Sequence, residues 1–232
     1  EQPWWNTGGT RNKKVYLSPE DKVYYFKQSL KKENKDYKFE FWSEIIASEI
    51  GKLCGFEMLE YHLAIRGDEA GCISKSMHDP DKEELVEGGK YLQAFDTTFD
   101  QEDRSKRHQY NFELITGSLS FFNLQKYYSS LIDIIVFDAL IGNSDRHQEN
   151  WGFIRKYIEI KIENLINSQN DSSKNWVQKI RNLFLNKRKK EIHNRKKVRK
   201  IIRINLEEST RFSPIYDSGC CLEREKNDDE IK

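Results

Sequence analysis

At 232 residues the chain is long enough for one large domain or two small lobes, and so for an enzyme with a cleft. Hydrophobic residues make up 37% and charged residues 33%, with 13 Phe, 11 Tyr and 5 Trp to anchor packing, the balance expected of a soluble globular protein. The net charge of +1 is unevenly placed: twelve Lys or Arg stand against the single acid Glu191 between Val177 and Arg203, a local +11 that leaves −10 for the remainder.

No apolar run approaches the roughly 18 to 20 residues that cross a bilayer. The opening Glu1-Gln2-Pro3-Trp4-Trp5 lacks the basic-then-apolar pattern of a signal. No membrane span and a cytoplasmic location are therefore expected.

In chain order, Asn6-Thr7-Gly8-Gly9-Thr10 is turn chemistry, followed by two β-rich runs, Lys14-Val15-Tyr16-Leu17 and Val23-Tyr24-Tyr25-Phe26-Lys27. Ser18-Pro19-Glu20-Asp21 joins them, so a glycine loop opening a hairpin is predicted. Trp42, Ile45, Ile46, Glu49, Ile50 and Leu53 recur at spacings of three and four, the pattern of an amphipathic helix that stops near Gly55 and carries Glu44 near its middle. Tyr61–Ile65 and Gly71–Met77 read as two further strands around the turn Arg66-Gly67-Asp68-Glu69, closing a small lobe near Met77. The acidic stretch from His78 to Gly89 reads as a linker, and irregular chain with short helices is expected to about Leu119.

Leu124, Tyr127, Tyr128, Leu131, Ile134, Ile135 and Leu140 predict a mostly buried helix ending at Gly142-Asn143. A long basic helix is predicted from about Asn175 to Ile202, capped by Asp171-Ser172-Ser173. The four cysteines, Cys54, Cys72, Cys220 and Cys221, lack the C-x2-C spacing of a zinc site and read as reduced thiols.

Chemistry concentrates in two places. The loop after the buried helix runs Gly142-Asn143-Ser144-Asp145-Arg146-His147-Gln148-Glu149-Asn150-Trp151-Gly152, and Pro214-Ile215-Tyr216-Asp217-Ser218-Gly219 follows downstream. Phosphoryl transfer needs a carboxylate to orient the attacking hydroxyl and hard oxygen ligands for magnesium at the phosphates. Asp145 and Asn150 have the D-x-x-x-x-N separation of that template, and Asp217-Ser218-Gly219 stands where its second metal carboxylate belongs. Upstream, Lys27 ends a strand and Glu44 lies on the next helix, a pair suited to gripping phosphates, although Glu40 and Glu49 flank Glu44 and spacing alone does not choose among them. The backbone amides of Gly8, Gly9 and Thr10 are candidates to cover the phosphates, and Ser76 and Met77 are candidates for the hinge that meets adenine. His147 reads as an orienting or structural group, and Trp151 and Phe153 as core residues beneath the loop.

The run from Asp138 to Phe153, with Asp217-Ser218-Gly219, Lys27 on its strand and Phe41-Trp42-Ser43-Glu44 opening the helix, resembles the HipA-like serine/threonine kinases. That family includes bacterial toxin kinases and a cell-entering proinflammatory type. The resemblance covers roughly residues 8–153 and 213–221, and it implies an α+β, two-lobed, protein-kinase-like fold. A small β-rich lobe would span residues 1–77 and a helical lobe 78–232, interrupted by a basic insertion over 155–212. By the same resemblance Asp145 is the catalytic base, Asn150 and Asp217 bind Mg2+, Lys27 contacts the phosphates of ATP, and Glu44 holds Lys27. It further implies a protein substrate with a Ser or Thr acceptor, a toxin or secreted effector role as an alternative setting, and autophosphorylation at Thr7 or Thr10, which otherwise read as ordinary loop threonines.

Two features depart from the family. About sixty residues from Arg155 to Phe212 stand where similar kinases have a short hairpin, and the chain ends at Lys232 where they continue into further helices, so a fragment or a reduced kinase is implied. Two alternatives follow: a catalytically impaired nucleotide-binding scaffold whose basic segment 177–203 binds nucleic acid or an acidic partner, and a phosphatidylinositol-type lipid kinase, which shares a D-R-H-x-x-N-W loop.

Overall fold

The computed structural model describes residues 13–29, 31–32, 35–36, 40–101, 103, 108–161 and 201–222. The predicted hairpin forms: β1 (Lys13–Leu17) pairs antiparallel with β2 (Val23–Lys27). Two short strands, β3 (Lys31–Lys32) and β4 (Lys35–Asp36), follow before helix α1 (Glu40–Leu53). Strands β5 (His62–Arg66) and β6 (Glu69–Lys75) complete a four-stranded antiparallel sheet in the order β1-β2-β6-β5, in which Lys27 lies opposite Cys72. The glycine loop, Gly8, Gly9 and Thr10, lies outside the described residues.

Helix α1 forms over the predicted span, but only part of its apolar stripe faces inward. Ile45 and Ile50 pack against the core, and Glu40, Phe41, Ser43, Glu44, Ala47, Ser48 and Gly51 are its buried residues, while Trp42, Ile46 and Leu53 of the expected stripe are exposed. Size explains the difference. Serine, alanine and glycine let the helix approach closely, Gly51 facing Met58, and buried Glu44 is drawn in by the site described below. Phe41 packs with Tyr61 and Cys72 under the sheet.

The second lobe begins with β7 (Glu83–Glu87), α2 (Gly88–Phe95) and α3 (Phe112–Phe121), the last capped by Asn111, whose Oδ1 accepts from the Leu114 amide at 2.9 Å. A 3-10 turn over Gln125–Tyr127 leads into α4 (Tyr128–Ile141). Leu131, Ile134, Phe137 and Ile141 of α4 enter the core, but Ile132, Ile135, Val136 and Leu140 stand out into solvent, so the helix is half-buried where a mostly buried one was expected. Gly142 ends it at φ +65°, a left-handed cap that a Cβ would strain.

Strands β8 (Gly152–Lys161) and β9 (Ile201–Phe212) join β7 in a three-stranded sheet ordered β7-β8-β9. The rings of Trp151 and Phe212 stack at 6.1 Å and Phe153 meets Phe212 edge-on at 5.2 Å, burying all three. Trp151 and Phe153 are thus the core residues expected. The chain divides into two compact units, residues 1–155 with 210–232, and residues 156–209. Most of the predicted basic helix lies outside the described residues; its last two positions, Ile201 and Ile202, belong to β9. No helix among the described residues is long and apolar enough to cross a membrane.

Candidate active site

Four of the predicted residues meet where the two lobes face each other. Lys27, at the end of β2, is buried and its ammonium pairs with the Glu44 carboxylate of α1. The same ammonium donates to Asp217 Oδ1 at 2.7 Å, across 190 residues of sequence. Asn150 Nδ2 donates to the other oxygen, Asp217 Oδ2, at 2.6 Å. The remaining amide oxygen, Asn150 Oδ1, is buried and has no hydrogen-bond partner among the described residues.

The choice among the three glutamates of α1 is made by geometry. Glu44 is fully buried and reaches both Lys27 and the Ser218 amide, which donates to Glu44 Oε2 at 3.0 Å; Glu49 is exposed and pairs with Lys52. Burial pushes the Glu44 carboxyl up from its ordinary range, and the nearby Lys27 charge opposes that shift. Gly219 packs tightly here: a Cβ would lie 3.0 Å from Glu44 Oε1 and 3.3 Å from Glu40, so the glutamates would have to give by a few tenths of an ångström. Asp217 itself adopts φ +56°, an uncommon conformation for a non-glycine residue and one that concentrates at functional sites.

Asp145 lies on the same loop as Asn150, but its side chain is exposed and accepts from Cys220 Sγ at 3.6 Å rather than joining the Lys27 cluster. His147 is bonded within the loop, its carbonyl accepting from the Asn150 amide at 3.0 Å and its Nδ1 from the Glu149 amide at 3.3 Å. At the predicted hinge residues, the Ser76 amide donates to the Val23 carbonyl at 2.8 Å and its hydroxyl to the His78 carbonyl at 2.7 Å, while the Met77 carbonyl accepts from Arg211 at 2.7 Å.

Sequence reasoning missed two residues that hold this arrangement. Arg146 has a largely buried guanidinium that binds both oxygens of Asp138 at 2.8 Å. It also donates to the carbonyls of Asn150 and Tyr216, at 2.9 and 2.5 Å, so it ties α4, the loop and the Asp217 segment together. The available signal was Asp138, an acid at a buried spacing of a largely apolar helix. Tyr61, buried beneath the cluster, accepts from the Asp217 amide at 3.4 Å, and burial holds its phenol far above its usual value. Nothing in the sequence around Tyr61 marks it.

Cys72, opposite Lys27 in the sheet, is fully buried, and burial pushes its thiol up to about 12. Because the thiolate is the nucleophile, iodoacetamide at pH 8 is expected to modify the exposed Cys54 first and to leave Cys72 unmodified until the protein unfolds. Peptide mass spectrometry over a time course checks this; early labelling of Cys72 would contradict the packing under the sheet.

The arrangement of a small β-sheet lobe with one helix, a helical second lobe and a carboxylate-amide-lysine cluster between them defines a kinase-like fold. The crystal structure of a Helicobacter pylori proinflammatory kinase, CtkA, is similar to it with a TM-score of 0.64 at 18% sequence identity, over 97% of this chain and 60% of that one. The chain thus spans about three fifths of the length of that protein. No family model and no curated protein matches the sequence.

Proposed function

We propose that the protein is an ATP- and magnesium-dependent serine/threonine protein kinase of the HipA-like type. The observation that carries this reading is the convergence of Lys27, Glu44, Asn150 and Asp217, which come from a strand, a helix and two separate loops. A buried lysine held by one carboxylate and reaching a second is a poor stability device, because desolvation offsets much of the attraction. With a divalent cation to offset the two carboxylates, such an ammonium is placed to hold phosphate oxygens.

In this reading Lys27 grips the phosphates of ATP and Glu44 fixes the direction of its ammonium. Asp145, standing at the exposed edge, accepts the proton of a Ser or Thr hydroxyl as its oxygen bonds to the γ-phosphorus and the bond to ADP breaks. Asn150 Oδ1 and the Asp217 carboxylate would hold Mg2+, a hard cation suited to an unpartnered amide oxygen beside a carboxylate. Bound there, the cation neutralises charge on the phosphates. Ser76 and Met77 form the hinge, residues 1–77 and 78–232 are the two lobes, and the glycine loop with Gly8, Gly9 and Thr10 covers the nucleotide. The protein substrate, autophosphorylation, a toxin or effector role and an acidic or nucleic-acid partner of segment 177–203 belong to the same proposal.

Transfer of labelled γ-phosphate to a protein acceptor tests it. Asp145→Asn is expected to lower transfer by at least about a hundredfold while ATP still binds, since the base acts on the acceptor and not on the nucleotide. Transfer at the wild-type rate by this variant would remove Asp145 from the role. A folded wild type that binds ATP without transfer would remove the kinase reading itself.

A further inference from the structure

The hinge is fixed from one lobe by the sheet and from the other by a single arginine. On the sheet side, the Ser76 amide is committed to Val23, and the Ser76 hydroxyl and His78 carbonyl close a local turn. From the other side, Arg211 Nη2 donates to the Met77 carbonyl at 2.7 Å and to Glu83 Oε2 at 3.2 Å. Glu83 Oε2 in turn accepts the Asp79 amide at 3.1 Å, so the guanidinium, the carboxylate and the segment 77–79 form one connected unit.

Arg211 is well anchored for this. Its neighbours on β9 are locked into the second lobe: the Thr210 carbonyl accepts from the Tyr127 hydroxyl, Phe212 stacks on Trp151, and the Ser213 amide donates to the Gly152 carbonyl at 2.9 Å. Alternation along the strand sends Thr210 and Phe212 inward and leaves Arg211 pointing the other way. The strand thus presents a pre-positioned cation to the hinge.

We propose that Arg211 is a positioning residue for the purine ring, setting the orientation of the Met77 peptide that the base meets. This rests on the nucleotide-binding reading above. A charge-assisted bond to a backbone carbonyl is strong and directional, and its loss frees the hinge peptide to rotate. The effect therefore belongs to the base and not to the phosphates, which Lys27 holds at a different place.

The test measures affinities of the full chain, wild type and Arg211→Met, for ATP, adenosine and inorganic tripolyphosphate by competition against a fluorescent ATP analogue. Expected is a loss of about tenfold for both ATP and adenosine with tripolyphosphate unchanged. Arg211→Lys, which retains the charge without the planar fork, should show the same order of effects at smaller size, and it decides the matter if the Met variant does not fold by circular dichroism. Unchanged adenosine affinity overturns the proposal, and so does an equal loss for tripolyphosphate, which would mark a merely structural role. If the folded wild type binds neither ATP nor adenosine, the nucleotide reading fails and this inference with it.

Discussion

Asp217→Asn is expected to lower phosphoryl transfer by about a thousandfold or more while the protein stays folded. The carboxylate does two things at once: Oδ1 accepts from Lys27 at 2.7 Å and Oδ2 accepts from Asn150 at 2.6 Å. Asparagine keeps the size and, like aspartate, tolerates the left-handed backbone that position 217 adopts. It therefore removes charge with little change of shape. Lys27 keeps Glu44 as a partner, so the buried ammonium is not abandoned and the loss of stability should stay within roughly 1–2 kcal/mol. Asp217→Ala should lose transfer equally but cost more stability, since alanine lacks a side chain that eases φ +56°. Transfer assays with labelled ATP, read beside urea midpoints, check both. Either variant working within tenfold of wild type would detach Asp217 from the chemistry.

The parts of the site legible in the sequence are those where chemistry demands one residue type at one spacing. Asp145 and Asn150 are five apart on one loop, and Asp217-Ser218 leads into Gly219, which sits close against Glu44. Lys27 was legible only through its strand. The β-rich runs served the sheet well: Val15 and Val23 are buried on one face of the hairpin and Phe26, of opposite parity, on the other. Hydrophobic periodicity misled in part for α1, where Phe41 shares the buried face with Glu, Ser, Ala and Gly, residues that serve close approach and the charge cluster rather than apolar area. It also overstated α4, whose continuous run of aliphatic residues covers both a buried and an exposed face, so that period alone could not say which half packs. Tyr61 and Arg211 were illegible for a common reason: each acts through tertiary contacts, spanning 156 and 134 residues, that leave no local trace, whereas Arg146 had Asp138 eight residues before it to mark it.

Arg146→Met is the substitution expected to damage both stability and transfer, and the two losses should separate in a double variant. The wild-type guanidinium neutralises Asp138, which is buried inside the second lobe, and fills the carbonyls of Asn150 and Tyr216. Methionine has similar length and no donors, so it leaves a buried carboxylate without its cation and two carbonyls without this donor. Breaking a buried pair from one side costs about 3–5 kcal/mol, which for a chain of this size lowers the melting temperature by roughly 10 °C. Adding Asp138→Asn removes the stranded charge and should recover more than half of that stability. It should not recover transfer, because Asn150 and the residue before Asp217 still lack the tether that sets their carbonyls. Denaturant midpoints and labelled-phosphate transfer for the single and double variants give the cycle. Recovery of both properties together would mean that Arg146 serves only to neutralise Asp138; a shift below about 1 kcal/mol in the single variant would mean that the buried pair contributes no more than an exposed one.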